Sequence, residues 1–232
     1  MSGILNKLVA GCVPLENIKL VSALVSNELF HYVELTHPIG IQDKLWEIGC
    51  DIQQHHLMRI RYQRQGADAA SAVERIVEPV SILFSEYYFY LNAYITKEND
   101  GKYTRKYDYP AIFRIDRIAD YKIMEQTFSL PYASRFQEGE FRKRVQFMYP
   151  GRLQSIRLRY TGSSVEAILD RLPTAKIVSQ DANGYLVEAE IYGNGIVMWL
   201  LSQGNRVEVL APQTLREEMF RVLTAMLERY QP

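Results

Sequence analysis

Between residues 88 and 94 the chain reads Tyr88-Phe89-Tyr90-Leu91-Asn92-Ala93-Tyr94. Side chains alternate between the two faces of an extended strand. Tyr88, Tyr90, Asn92 and Tyr94 therefore share one face, while Phe89, Leu91 and Ala93 form an apolar set on the other. Arg114 alternates with Phe113 and Ile115 and so also points away from an apolar core, with Arg117 just beyond it. Arg59 and Arg61 alternate with Met58, Ile60 and Tyr62 and take the outer face of an earlier strand. Aromatic rings beside guanidinium groups suit a ligand made of flat bases and phosphates, because rings stack on bases and Arg grips phosphate through two parallel hydrogen bonds. A plainer explanation is an exposed sheet face on which Tyr is favoured by strand geometry and Arg114 merely pairs with Asp116. The residues alone leave both open.

Other chemistry is thinner. His31, His37, His55 and His56 have no zinc spacing and no carboxylate or Cys partner nearby, so solvated or capping roles are expected. Gly162-Ser163-Ser164 lacks the flanking glycines of a nucleophile elbow. Gly193-Asn194-Gly195 follows a strand and precedes a helix, as a phosphate loop would, but Met198 stands where the third glycine belongs, and a tight turn is expected. Glu188 and Glu190 share a strand face with nothing nearby to shift either pKa. No catalytic residue, metal site or cofactor is expected, and the chain is not expected to be an enzyme.

Three segments position these residues. Residues 1–55 read as two helices forming a connector, with Ile18, Val21, Leu24 and Val25 on one and Ile41, Leu45, Ile48 and Ile52 on the other, separated by a break at His37-Pro38-Ile39-Gly40. Residues 56–130 switch to a period of two and predict five short strands, Pro79 marking a bulge and Ser85-Glu86 a tight turn. Five bent strands in so short a span suggest a small closed barrel of the SH3 or Sm kind. Residues 131–150 form a charged linker holding Arg135, Arg142, Lys143 and Arg144. Residues 151–232 read strand, helix, strand, strand, helix, strand and a final long helix, a ferredoxin-like βαββαβ plan. Ser163 with Glu166 and Thr214 with Glu217 are expected to cap its first and last helices, with Gly204 ending the middle one. The fold class is α+β.

Bulk properties narrow the function further. The chain has 232 residues, 47% of them apolar and 23% charged, enough for packed cores. Its 27 basic and 27 acidic residues balance, which argues against strong non-specific duplex binding. Cys12 and Cys50 are isolated thiols that suit a reducing compartment. With no apolar run near the roughly 20 residues of a membrane span and no signal peptide, a cytoplasmic protein without membrane partners is expected.

Three ordered motifs carry a family resemblance. Arg75-Ile76-Val77-Glu78-Pro79-Val80-Ser81-Ile82-Leu83, Phe89-Tyr90-Leu91-Asn92-Ala93-Tyr94 and Phe113-Arg114-Ile115-Asp116-Arg117-Ile118 resemble the WYL domain, with Phe89 in place of the Trp of its name and Ile115 in place of Leu. Met198-Trp199-Leu200-Leu201-Ser202-Gln203-Gly204 followed by Val207-Glu208-Val209-Leu210 resembles the ending of the WCX extension. The resemblance implies a bacterial transcriptional regulator, often a homodimer, whose WYL domain senses a nucleotide-like or single-stranded nucleic-acid ligand. It carries ligand contact over to Tyr90, Arg114 and Arg117, with Arg75 as an addition and Tyr88, Asn92 and Arg61 around them. Residues 1–55 offer no trihelical pattern with a basic recognition helix and wing. Duplex DNA is thus expected to be reached only through a helix-turn-helix not present in this chain. The alternative is a structural dimerisation and protein-docking module with no small ligand.

Overall fold

A computed structural model describes residues 7, 9–29, 41–63, 72–86, 88–130 and 136–231, with backbone alone for 27–29 and 41–43. The chain divides into two units, residues 1–39 and 40–232. In the first, helix α1 (Ile18–Leu29) follows a 3-10 turn at Leu15–Asn17. Of its expected apolar face, Leu24 is exposed. The break at His37 to Gly40 lies outside the described residues.

The second unit begins with α2 (Ile41–Gln54), which packs into a core. Fully buried Ile48, flanked by Leu45 and Ile52 at helical spacing, packs on Met58, Ile60, Val77, Leu91, Phe113, Ile115 and Ile118. Lys44 Nζ donates to the Ile118 carbonyl at 2.9 Å and fastens the helix to the sheet. That sheet contains β1 (His56–Tyr62), β2 (Val73–Ser85), β3 (Tyr88–Asn99), β4 (Lys102–Arg105), β5 (Ala111–Arg114) and β6 (Ile118–Thr127). Its order is β4-β3-β2-β1-β6, with β5 also on β3 and every pairing antiparallel. The β2–β3 register shifts between Pro79 and Ser81, where proline cannot donate to the ladder.

Two expectations are corrected. The sheet has six strands, not five: Asp100 and Gly101, both at positive φ (49° and 74°), form a two-residue hairpin loop that sets Asn99 opposite Lys102. An Asp-Gly pair favours this geometry. The expected closed barrel is not formed. β5 and β6 pair with β3 and β1, at opposite ends of the sheet, and not with each other among the described residues. A 3-10 turn at Ile115–Arg117 takes the chain out of extended geometry between them.

A linker helix, α3 (Glu138–Arg144), buries Phe141 and, just after it, Val145. The second sheet follows: β7 (Leu153–Tyr160), α4 (Glu166–Arg171), β8 (Lys176–Asp181), β9 (Gly184–Tyr192), α5 (Ile196–Ser202), β10 (Val207–Ala211) and α6 (Gln213–Glu228). Its order is β10-β7-β9-β8, all antiparallel. Ile156, Leu158, Val187 and Ile191 pack there against Ile168, Leu172, Trp199, Leu200 and Leu215. The two expected capping boxes are not formed. Ser164, not Ser163, accepts the Glu166 N–H at 3.3 Å, a local turn across two residues. Helix α6 starts one residue earlier than Thr214, behind Pro212, and has no side-chain cap. Gly204, at φ 63°, does follow the C-cap of α5. Along α6, Met219 and Val222 join the core, but Leu223 and Met226, and Tyr230 just beyond the helix, are exposed.

Candidate functional site

The β3–β5 pairing sets Tyr90 directly opposite Arg114. The Arg114 guanidinium lies 3.4 Å from the centre of the Tyr88 ring. It also forks Asp116, with Nε to Oδ1 at 3.0 Å and Nη2 to Oδ2 at 2.5 Å. The 3-10 turn makes this possible by bringing Asp116 back beside Arg114 two residues earlier. The Arg114 backbone N–H donates to the Tyr62 hydroxyl at 3.3 Å, which fixes the strand end. The Arg117 carbonyl accepts from Gln63 at 3.0 Å and holds the far side of the turn.

Electrostatics knit these groups together. Burial pushes the Asp116 carboxyl up, but the Arg114 hydrogen bonds, its charge and that of Arg117 win, and the group is held below the usual carboxylate range. Burial raises the Tyr90 phenol above its ordinary value, against the pull of Arg114 and Arg117. Tyr88, Tyr90, Arg114, Asp116 and Arg117 thus form one coupled cluster. Arg114 pairs with Asp116 just as the plainer explanation expects.

Of three further residues expected at the site, one is buried and two lie elsewhere. Asn92 shares the Tyr90 face but is completely buried, its Nδ2 donating to Ser81 Oγ at 2.9 Å. Its Oδ1 has no partner among the described residues. The reason is that this face is not open to solvent. Leu83, opposite Tyr90, and Ile112, opposite Asn92, pack against Phe141, Val145, Met148 and Tyr192 of the linker and second sheet. Arg75 sits near the other end of β2, opposite Ile60, and donates to the Glu74 carbonyl at 2.9 Å. Arg61 is exposed on β1 between Glu74 and Asp120. His56, expected to lack a carboxylate neighbour, has Asp51 Oδ1 3.5 Å from its Nδ1, because His55 at φ 57° turns the chain back along α2.

Tyr90 opens onto a cavity of about 490 Å³ that it lines with Phe84, Glu86, Arg142, Phe147 and Arg171. Sequence reasoning placed Arg142 in a linker and gave Arg171 no role. No spacing could have joined them to Tyr90, since they come from three elements. The cavity wall is strained: Phe147 and Met148 both lie at positive φ, 52° and 54°. For bulky side chains this costs on the order of 1–3 kcal/mol per residue and recurs at ligand clamps and switches. Gly195 explains how the strained segment is held. A Cβ there would stand 2.1 Å from the Gln146 carbonyl oxygen. The Gly-Asn-Gly turn is therefore a seat for the linker backbone.

A larger cavity of about 730 Å³ lies along the second sheet beside α3. Its charges are paired, Arg144 with Glu190 at 2.8 Å and Arg157 with Glu188. Glu140, beside Lys143 and Arg144, has its carboxyl held down at about 2 by the hydrogen bonds those two donate. No group of three or more metal-binding side chains occurs among the described residues.

Two antiparallel sheets joined by a helical linker, with an aromatic–guanidinium cluster on the first sheet, define the class: a mixed α/β protein with a cavity between the linker and the two sheets. The WYL domain model matches residues 51–123 and the WCX domain model matches residues 152–227. The chain belongs to the WYL-domain proteins that carry a WCX extension. It is similar to proteasome accessory factor B/C (PafBC) of Arthrobacter aurescens, at 21% identity over 88% of this chain and 30% of that one, TM-score 0.38. It is also similar to a CRISPR Cas-related protein, at 17% identity over 82% of this chain and 52% of that one, TM-score 0.49. The chain thus spans under a third of the first structure and about half of the second. No curated protein matches it.

Proposed function

We propose that this chain is the ligand-sensing and dimerisation module of a bacterial transcriptional regulator, acting in the cytoplasm and binding a nucleotide-like or single-stranded nucleic-acid effector at the Tyr88, Tyr90, Arg114 and Arg117 cluster. The observation that carries this is Tyr90, set against Arg114 and opening onto a cavity. Asp116 engages two of the five N–H groups of Arg114, which leaves others for a phosphate oxygen. The balanced charge fits a specific ligand better than bulk duplex DNA, which would be engaged through a helix-turn-helix outside this chain. No described helix is long and apolar enough to cross a membrane. We read the first domain as an SH3/Sm-like sheet left open between β5 and β6, and the second as ferredoxin-like.

The test is fluorescence anisotropy with labelled single-stranded DNA and RNA at two salt concentrations, wild type beside Tyr90→Ala and Arg114→Ala. Saturable, salt-sensitive binding is expected, weakened by about tenfold or more when the charge-assisted contact is removed. Undiminished binding by both folded variants would eliminate this site.

One observation favours the alternative, a dimerisation and docking module with no small ligand. Phe220, Leu223 and Leu227 of the last helix and Tyr230 just beyond it are 73%, 50%, 60% and 84% exposed, an apolar stripe suited to a partner. Sedimentation showing only monomer at micromolar concentration removes it.

A further inference from the structure

We infer that Arg171 and Arg142, from α4 and α3, form a phosphate-binding pocket in the cavity beside Tyr90. The inference rests on the proposed ligand only for the identity of what is attached to the phosphate.

Arg171 carries the argument. Its Nε is buried and has no hydrogen-bond partner among the described residues. A buried N–H without an acceptor is unfavourable, and an anion held by this guanidinium would relieve that cost. Its guanidinium stacks over the Phe147 ring at 4.4 Å. Stacking occupies the flat face and leaves the N–H edge to hydrogen-bond in plane, the geometry with which Arg grips phosphate. Arg114 differs: two of its N–H groups are already engaged by Asp116.

The surroundings agree with an anion. Two arginines and one carboxylate, Glu86, line the cavity. Arg142 is steadied by donating to the Phe84 carbonyl, which draws its charge to the mouth of the cavity. Phe147 keeps its positive φ next to Gln146, whose carbonyl is seated on Gly195. The stacking partner of Arg171 is thereby fixed in place before any ligand arrives. At about 490 Å³ the cavity falls within the size range of small-molecule sites. A phosphate there would touch α3 and α4 while its substituent reaches Tyr90 on β3.

The experiment uses the full chain and inorganic phosphate, with potassium chloride added to match ionic strength. The melting temperature of the wild type is expected to rise saturably with millimolar phosphate. Arg171→Met is expected to show no rise, and Arg59→Met, altered on the remote face of β1, the wild-type rise. Arg171→Lys keeps the charge over Phe147 but lacks the fork, and is expected to bind phosphate about tenfold more weakly. It decides the case should Arg171→Met fail to fold. No saturable rise in the wild type, or wild-type affinity in Arg171→Lys, overturns the pocket. A labelled thymidine oligonucleotide separates the two ideas. Phosphate stabilisation without oligonucleotide binding leaves the pocket and removes the effector; oligonucleotide binding that Arg171→Lys leaves intact removes the pocket and spares the effector.

Discussion

Removing the Asp116 carboxylate tests whether Arg114 is held by its own neighbours. Asp116 accepts two hydrogen bonds from Arg114, at 3.0 and 2.5 Å, between side chains only 19% and 10% exposed. Hydrogen bonds to charged groups contribute roughly 1.5–3 kcal/mol each, but two from one guanidinium are not additive, so Asp116→Ala should cost about 2–3 kcal/mol. For a unit of this size each kcal/mol is worth roughly 2–4 °C, giving a fall of about 4–12 °C in Tm. The sign of the pH dependence follows from the lowered folded-state pKa of Asp116. Its contribution is fully present above the ordinary carboxylate pKa and is lost as pH falls through the lower folded value. Urea unfolding of wild type and variant should therefore differ by the full amount at neutral pH, the gap closing only below about pH 4. The same change frees Arg114 towards an anion, so oligonucleotide affinity should hold or rise while stability falls. A variant within 0.5 kcal/mol of wild type at neutral pH would refute the ion-pair reasoning. So would a gap that closes well above pH 4.

Three further outcomes are expected. Gly195→Val should destabilise the second unit by more than a surface change, on the order of 2 kcal/mol or above, because its Cβ meets the Gln146 carbonyl at 2.1 Å; chemical denaturation with unchanged stability would contradict that close approach. Asn92→Ala leaves the Ser81 hydroxyl buried without its donor and should cost about 1–3 kcal/mol, whereas adding Ser81→Ala should recover part of the loss in a double-mutant cycle. The Glu140 carboxyl should titrate near 2 by NMR and return towards its ordinary range in Lys143→Ala/Arg144→Ala; an unchanged midpoint in the double variant would show that the two bases do not hold it down.

The fold was legible in the sequence wherever one face of an element meets one core. Leu91, Ala93, Phe113 and Ile115 are buried as their alternation requires. Helix spacing likewise located Leu45, Ile48 and Ile52. Asp100-Gly101 makes a hairpin only with β4, whose Lys102-Tyr103-Thr104-Arg105 carries no apolar alternation to announce a strand. At the site, alternation put Tyr88, Tyr90, Asn92 and Arg114 on one face, and Asn92 is fully buried there. Period two assigns a face but does not say what covers it. Here the cover is Phe141 and Val145, from a stretch whose charges marked it as a linker. Arg61 and Arg75 entered through the outer-face pattern and the motif, and lie on β1 and the far part of β2. The cavity could not be foreseen, because Tyr90, Arg142 and Arg171 meet only when the second sheet folds against the linker.

The ligand-face and plain-sheet explanations of Tyr88, Tyr90 and Arg114 are not exclusive. An Arg left free to await a phosphate would be poorly ordered and would lose side-chain entropy on binding. Arg114, stacked on Tyr88 and forked by Asp116, has lost that freedom on folding. It stabilises β5 whether or not a ligand is present. The unmet demand lies instead at Arg171, whose buried Nε has no acceptor among the described residues. On the proposed reading, Arg114 belongs to the resting structure and Arg171 is the group that responds to an anion. A ligand reaching from Tyr90 to Arg171 would then bridge β3 and α4 across one cavity, whose lining residues Phe147 and Met148 are already held in strained conformations.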